Sequence, residues 1–224
     1  MIRRNIAQIV SYLFHPLAMP IYALFLFYFT DPYFELFLPS ETKLKALMMF
    51  LGLTFIGPLI LLSVYRYTGT INNFSDPNRS SRIMVAVVVL LFYFTTYFLF
   101  KKLYLSQIFY DLFLSIIISI CIATFISFFY KISMHGLAVG GICGAQLALF
   151  IMHGSFNAYV LMALILLCGT VGTSRLILRA HSADQVYTGT LLGIFSVGLY
   201  LLFKADYLQI LSLVFDQSSC VILV

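Results

Sequence analysis

Residues 109–130 read FYDLFLSIIISICIATFISFFY, with a single charge, Asp111, near the start. A helix needs roughly 20 mainly apolar residues to cross a bilayer. A soluble helix of that length would show a polar face every turn; this stretch shows none, so its solvent is lipid. Similar runs occur at 9–30, 46–65, 83–100, 136–152, 158–173 and 185–203. The expected fold is an all-α polytopic membrane helical bundle with about six to seven transmembrane helices.

Composition agrees. Of 224 residues, 62% are hydrophobic and 9% charged, against roughly 45–50% and 25% in soluble domains. So few charges cannot cover a soluble surface, and 23 Phe with 15 Tyr exclude a disordered chain. The net charge of +5 comes without a contiguous basic run, so nucleic acid is not an expected partner. The four cysteines, Cys121, Cys143, Cys168 and Cys220, form no CxxC pair and read as small hydrophobes.

Arg3 and Arg4 precede an apolar stretch in the manner of a signal peptide, but no small-residue cleavage site follows, so a retained helix is expected over 9–30, kinked at His15-Pro16 and Pro20. Residues 205–224 form a weaker apolar tail holding Asp206 and Asp216, not counted as a span. Gly136, Gly140, Gly144 and Ala148 recur every fourth position, which leaves one helix face bare for close approach by a neighbour. No linker or low-complexity segment interrupts the chain, and residues 1–224 read as one integral membrane domain.

The gaps between spans alternate across the membrane. By that parity Asp76, Arg79 and Arg82 share a face with Lys131, Ser133 and His135, and with Ser174, Arg175, Arg179, His181, Asp184 and Gln185. The opposite gaps hold Lys43, Lys45, Lys101, Lys102, His153 and Lys204, positions typical of snorkelling anchors. Arginine grips phosphate through two parallel hydrogen bonds, so Arg79, Arg82 and Arg175 read as an anion pocket; loop charges that set topology are the bland alternative.

The histidines add chemistry. Asp184 and Gln185 follow His181 at helical spacing, so either can hold one imidazole nitrogen and leave the other as nucleophile or base. With His135 on the same face, the set suits phosphoryl transfer: one histidine attacks phosphorus, one protonates the leaving oxygen, and arginines stabilise the equatorial oxygens. A metal site of two His and a carboxylate is the rival, disfavoured by the clustered Arg. His15 and His153 are read as structural.

These residues resemble the motifs of the type-2 phosphatidic acid phosphatase superfamily of membrane lipid phosphatases. Its third motif, Ser-Arg, five residues, His, three residues, Asp, is matched by Ser174-Arg175 and His181, with Gln185 in the Asp position and Asp184 one residue early. The second, Pro-Ser-Gly-His, appears as Ile132-Ser133-Met134-His135. The first, Lys, six residues, Arg-Pro, keeps only Arg82 (Ser75 stands at the Lys position), with Arg79 as a substitute cation. The similarity covers roughly 75–203.

The resemblance implies a metal-independent hydrolase without cofactor, acting on a lipid phosphate or diphosphate at the bilayer surface through a phosphohistidine. His181 would be the nucleophile and His135 the general acid; Arg82, Ser133 and Arg175 would hold the phosphate, with Ser174 and Arg79 beside them, and Asp184 or Gln185 would orient His181. A bundle of the same fold that binds the lipid without turnover is the alternative. Setting the site arginines aside, basic residues divide evenly between the faces, so their distribution does not orient the chain. The resemblance implies a bacterial-type inner or cell membrane and an extracytoplasmic site.

Overall fold

The computed structural model describes the backbone of residues 2–30, 40–69, 79–103, 107–154 and 157–220. Side chains are described for these up to residue 205, apart from 28, 30, 40, 42 and 103. The described residues form an all-α bundle containing six helices long and apolar enough to span a membrane, and the protein is an integral, multi-pass membrane protein.

The expected span over 9–30 is corrected. It is two helices, α1 (Ile2–Leu13) and α2 (Met19–Thr30), 12 residues each and too short to cross a bilayer. Pro16 disfavours a helical backbone at His15 and removes an N–H. Pro20 falls in the first turn of α2, where a missing donor costs nothing. α1 turns Ala7 and Ser11 inward and leaves Ile2, Ile6 and Ile9 exposed.

The first full span is continuous over Lys43–Tyr67. It joins α3 (Ser40–Phe50) to α4 (Gly57–Tyr67) through a π turn, Leu51–Ile56. The turn ends just before Pro58, whose ring would otherwise meet a carbonyl one turn back. Then follow α5 (Arg79–Phe100), α6 (Gln107–Ile126), α7 (Met134–His153), α8 (Ala158–Ile177) and α9 (Ala183–Cys220). The run quoted first, 109–130, lies largely in α6, whose last four residues there are turn rather than helix. The backbone of the weak apolar tail continues α9 to Cys220.

α7 and α9 run parallel and pack with almost no side chain between them. A Cβ at Gly140 would collide with the Thr190 carbonyl, and one at Gly144 with the Ile194 carbonyl. The approach is reciprocal, because a Cβ at Gly193 would strike the Leu137 carbonyl and one at Gly189 would lie 2.5 Å from the Ser133 carbonyl. The bare face expected from the four-residue repeat is therefore filled by the α9 backbone. This contact brings the N-termini of α7 and α9 together, and the Ser133 N–H donates to the Gln185 carbonyl at 3.2 Å. α6 is tied to α9 by a Ser196–Ser119 hydroxyl bond of 2.8 Å. Toward the other face, Phe113 of α6 packs against Phe50, Tyr93 and Phe100 at centroid distances of 5.2, 5.4 and 5.6 Å.

Candidate functional site

Where α7 and α9 begin and α8 ends, a cavity of about 260 Å³ opens, lined by His15, Arg82, Lys131, His135, Arg175 and His181 and continuing inward between apolar side chains. Three permanent cations and three histidines thus share one end, and the described lining holds no Asp or Glu. Charges of one sign at a membrane face attract a counter-charge, and Arg supplies the planar fork that suits phosphate.

His181 sits in the turn before α9. Its Nδ1–H donates to the Gln185 Oε1 at 3.0 Å, and the Ser182 N–H reaches the same oxygen at 3.4 Å. A carbonyl oxygen only accepts, so the proton is on Nδ1 and the lone pair on Nε2. Of the two residues that the spacing left open, Gln185 is the one bonded to the imidazole. Asp184, one position earlier on the helix, is exposed and makes no hydrogen bond to His181 among the described residues.

His135 is buried at the first turn of α7, and its Nε2–H donates to the Ser11 carbonyl at 3.1 Å, with the Ser11 hydroxyl at 3.3 Å. Arg175, in the last turn of α8, donates through Nη1 to the same hydroxyl at 2.6 Å. The Arg175 Nε is buried with no hydrogen-bond partner among the described residues. Ser11 thus ties the arginine to one histidine. His15 stacks edge-on against His135, ring centroids 5.7 Å apart, and takes the Leu17 N–H on Nδ1 at 3.3 Å. Burial, and then the Arg175 charge, hold its pKa below the ordinary histidine value.

Four residues expected in the site, His181, His135, Arg175 and Arg82, line the cavity together. Others are corrected. Ser133 is fully buried as the N-cap of α7, its hydroxyl accepting from the Gly136 N–H at 3.3 Å, so it shapes the helix start and does not line the cavity. Ser174 is 3% exposed and its hydroxyl donates back to the Val171 carbonyl at 2.7 Å, away from the site. Arg79, the first residue of α5, is exposed and three positions short of the cavity-lining Arg82. Ser75 and Asp76 lie outside the described residues.

Ser11, His15 and Lys131 were missed as site residues. The available signal was the His-Pro pair inside an apparent span, because an ionisable group at such a break is more often functional than structural. Cys143 and Cys168, read as small hydrophobes, approach with sulfurs 3.3 Å apart between α7 and α8. Comparison of the chain with family models, with curated proteins and with solved structures finds no match in any of the three.

Proposed function

We propose that the protein is a metal-independent membrane phosphatase, similar to the type-2 phosphatidic acid phosphatases, that hydrolyses a lipid phosphate or diphosphate. The observation that carries the reading is one cavity lined by His135, His181, Arg82 and Arg175, without a described carboxylate, at the membrane face. In the first step the lone pair on His181 Nε2 attacks phosphorus and the P–O bond to the lipid breaks. His135, acting as the imidazolium, gives its Nδ1 proton to the departing lipid oxygen and keeps its Nε2–H on the Ser11 carbonyl. Arg82 and Arg175 neutralise charge on the equatorial oxygens. In the second step water attacks the phosphohistidine, His135 takes its proton, and inorganic phosphate leaves.

Gln185 holds the His181 tautomer but is a weaker partner than carboxylate for the imidazolium that forms, so turnover is slow. This substitution, with Ser11 engaging both Arg175 and His135, also supports a second reading as a lipid-phosphate binding bundle without turnover. The purified protein is expected to release phosphate from a lipid phosphate in the presence of chelator, and to lose that release in His181→Ala and His135→Ala. Activity that persists in both variants rejects the mechanism. Binding that depends on Arg82 and Arg175, without release at any pH, selects the second reading. We assign the cationic face to the extracytoplasmic side of a bacterial-type inner or cell membrane. An impermeant thiol reagent on a cysteine placed in the 66–82 segment tests that side.

A further inference from the structure

The cavity does not stop at the cations. On α5 its lining runs from Arg82 through Val89 to Tyr93, and on α7 from His135 through Ala138 to Ala145. At 1.5 Å per helical residue both ladders descend about 15 Å, roughly half the hydrocarbon thickness of a bilayer. Ile120 and Ile116 of α6, and Met19 and Phe27 of α2, close the remaining walls. Membrane-protein interiors are close-packed, so a hollow this deep implies an occupant.

The small residues explain how the hollow is kept. α7 carries two bare faces. Gly140 and Gly144 meet the α9 backbone, whereas Ala138, Gly141 and Ala145 face the cavity. A Cβ on Gly141 would meet only a Val197 methyl, at 3.5 Å, so tight helix contact does not require that glycine.

We propose that this hollow is a slot for one hydrocarbon chain, and that the substrate is a single-chain lipid phosphate whose tail enters the bundle beneath the cationic end. The proposal rests on the phosphatase reading for the headgroup and goes beyond it for the tail. At about 260 Å³ the whole cavity, cationic end and slot together, falls just below the usual range of ligand pockets, roughly 300–1,000 Å³. A diacyl lipid branches into two chains close to its phosphate, and the second chain needs room that the slot lacks. Moving a tail from bilayer to slot exchanges one apolar surrounding for another, so fit, not burial, sets the selectivity.

The test compares monododecyl phosphate, butyl phosphate and didodecanoyl phosphatidate, the two lipids in mixed micelles at equal surface fraction. The wild-type protein is expected to turn over monododecyl phosphate with kcat/KM at least tenfold above the diacyl lipid. Ala145→Phe, which plugs the slot far from the cations, should cost monododecyl phosphate at least tenfold and leave butyl phosphate within twofold, which also proves the variant folded. Val89→Phe repeats the test from the opposite wall. Equal or better turnover of the diacyl lipid by wild type overturns the slot, as does a folded variant that affects both single-chain substrates alike. Thermal stabilisation by monododecyl phosphate, present in wild type and lost in Ala145→Phe, reads the slot without turnover. That stabilisation without phosphate release would reject the phosphatase reading and keep the slot; release without it would do the reverse.

Discussion

The Arg175 guanidinium on α8 donates to the Ser11 hydroxyl on α1 at 2.6 Å, joining residues 164 positions apart. On the proposed phosphatase reading Ser11 holds the place of a phosphate oxygen, and through the same hydroxyl it approaches His135 at 3.3 Å. Ser11→Ala removes a hydrogen bond to a charged donor, worth roughly 1.5–3 kcal/mol. The variant should therefore melt several degrees below wild type. Millimolar inorganic phosphate should then stabilise it more than wild type, because the anion replaces the lost acceptor. Equal phosphate shifts in the two proteins would remove Ser11 from the anion site.

Gly140 and Gly141 are adjacent on α7 but face different surroundings. Gly140→Ala drives a methyl into the Thr190 carbonyl, so α9 must move away at a cost of roughly 1–3 kcal/mol. Gly141→Ala meets a methyl at ordinary contact distance and should be nearly neutral. Thermal melts in detergent check the contrast. The Gly140 variant should also lose activity beyond its loss of stability, because α7 and α9 carry the two histidines.

Gln185 gives a test with opposite signs. Gln185→Ala removes the acceptor that sets the His181 tautomer, and activity should fall by about 10- to 100-fold, less than the roughly 100- to 10,000-fold that a positioned acid or base contributes, because His181 itself remains. Gln185→Glu supplies a charged acceptor, worth about 1 kcal/mol more toward imidazolium, and should raise kcat roughly fivefold. Asp184→Asn, on the exposed side of the turn, should change neither by more than twofold. A rate loss in Asp184→Asn as large as in Gln185→Ala would return the orienting role to Asp184.

His15 makes stability depend on pH. Burial and Arg175 lower its pKa below 6.5, the ordinary value that the unfolded chain keeps. As pH falls through that value the unfolded state takes up a proton that the folded state resists, so stability is full above about 7 and declines below 6.5. The Arg175 charge adds to that resistance. The wild-type melting temperature should thus drop between pH 7.5 and 5.5, and His15→Asn should reduce that drop. An unchanged drop in the variant would place the titration elsewhere.

How far the sequence could be read divides along physical lines. Spans were legible because twenty apolar residues have one stable solution in a bilayer. That α7 takes a close neighbour was legible because glycines four apart are a packing surface; that the neighbour is α9 was not. His181 and His135 could be placed on one face by counting spans, even though the first span was wrong, because two half-length helices can leave the later parity unchanged. Side-chain aim was not legible. Asp184 and Gln185 differ by one position on a helix, a rotation of about 100°, and only the folded turn decides that Gln185 reaches His181. Ser133 and Ser174 carry the motif spacing, yet their hydroxyls bond the local backbone, a competition that serine always offers. Ser11 and His15 were hidden by distance, since nothing in a sequence links residue 11 to residue 175.

In the proposed mechanism His181 forms a covalent bond to phosphorus taken from a lipid. Rapid quench of the wild-type protein with lipid phosphate labelled at phosphorus, in chelator, tests it most directly. Protein-bound label is expected, stable to base, released by acid, located on the peptide carrying His181, and absent from His181→Asn. Steady phosphate release by wild type with no such label, or unchanged release by His181→Asn, would contradict it.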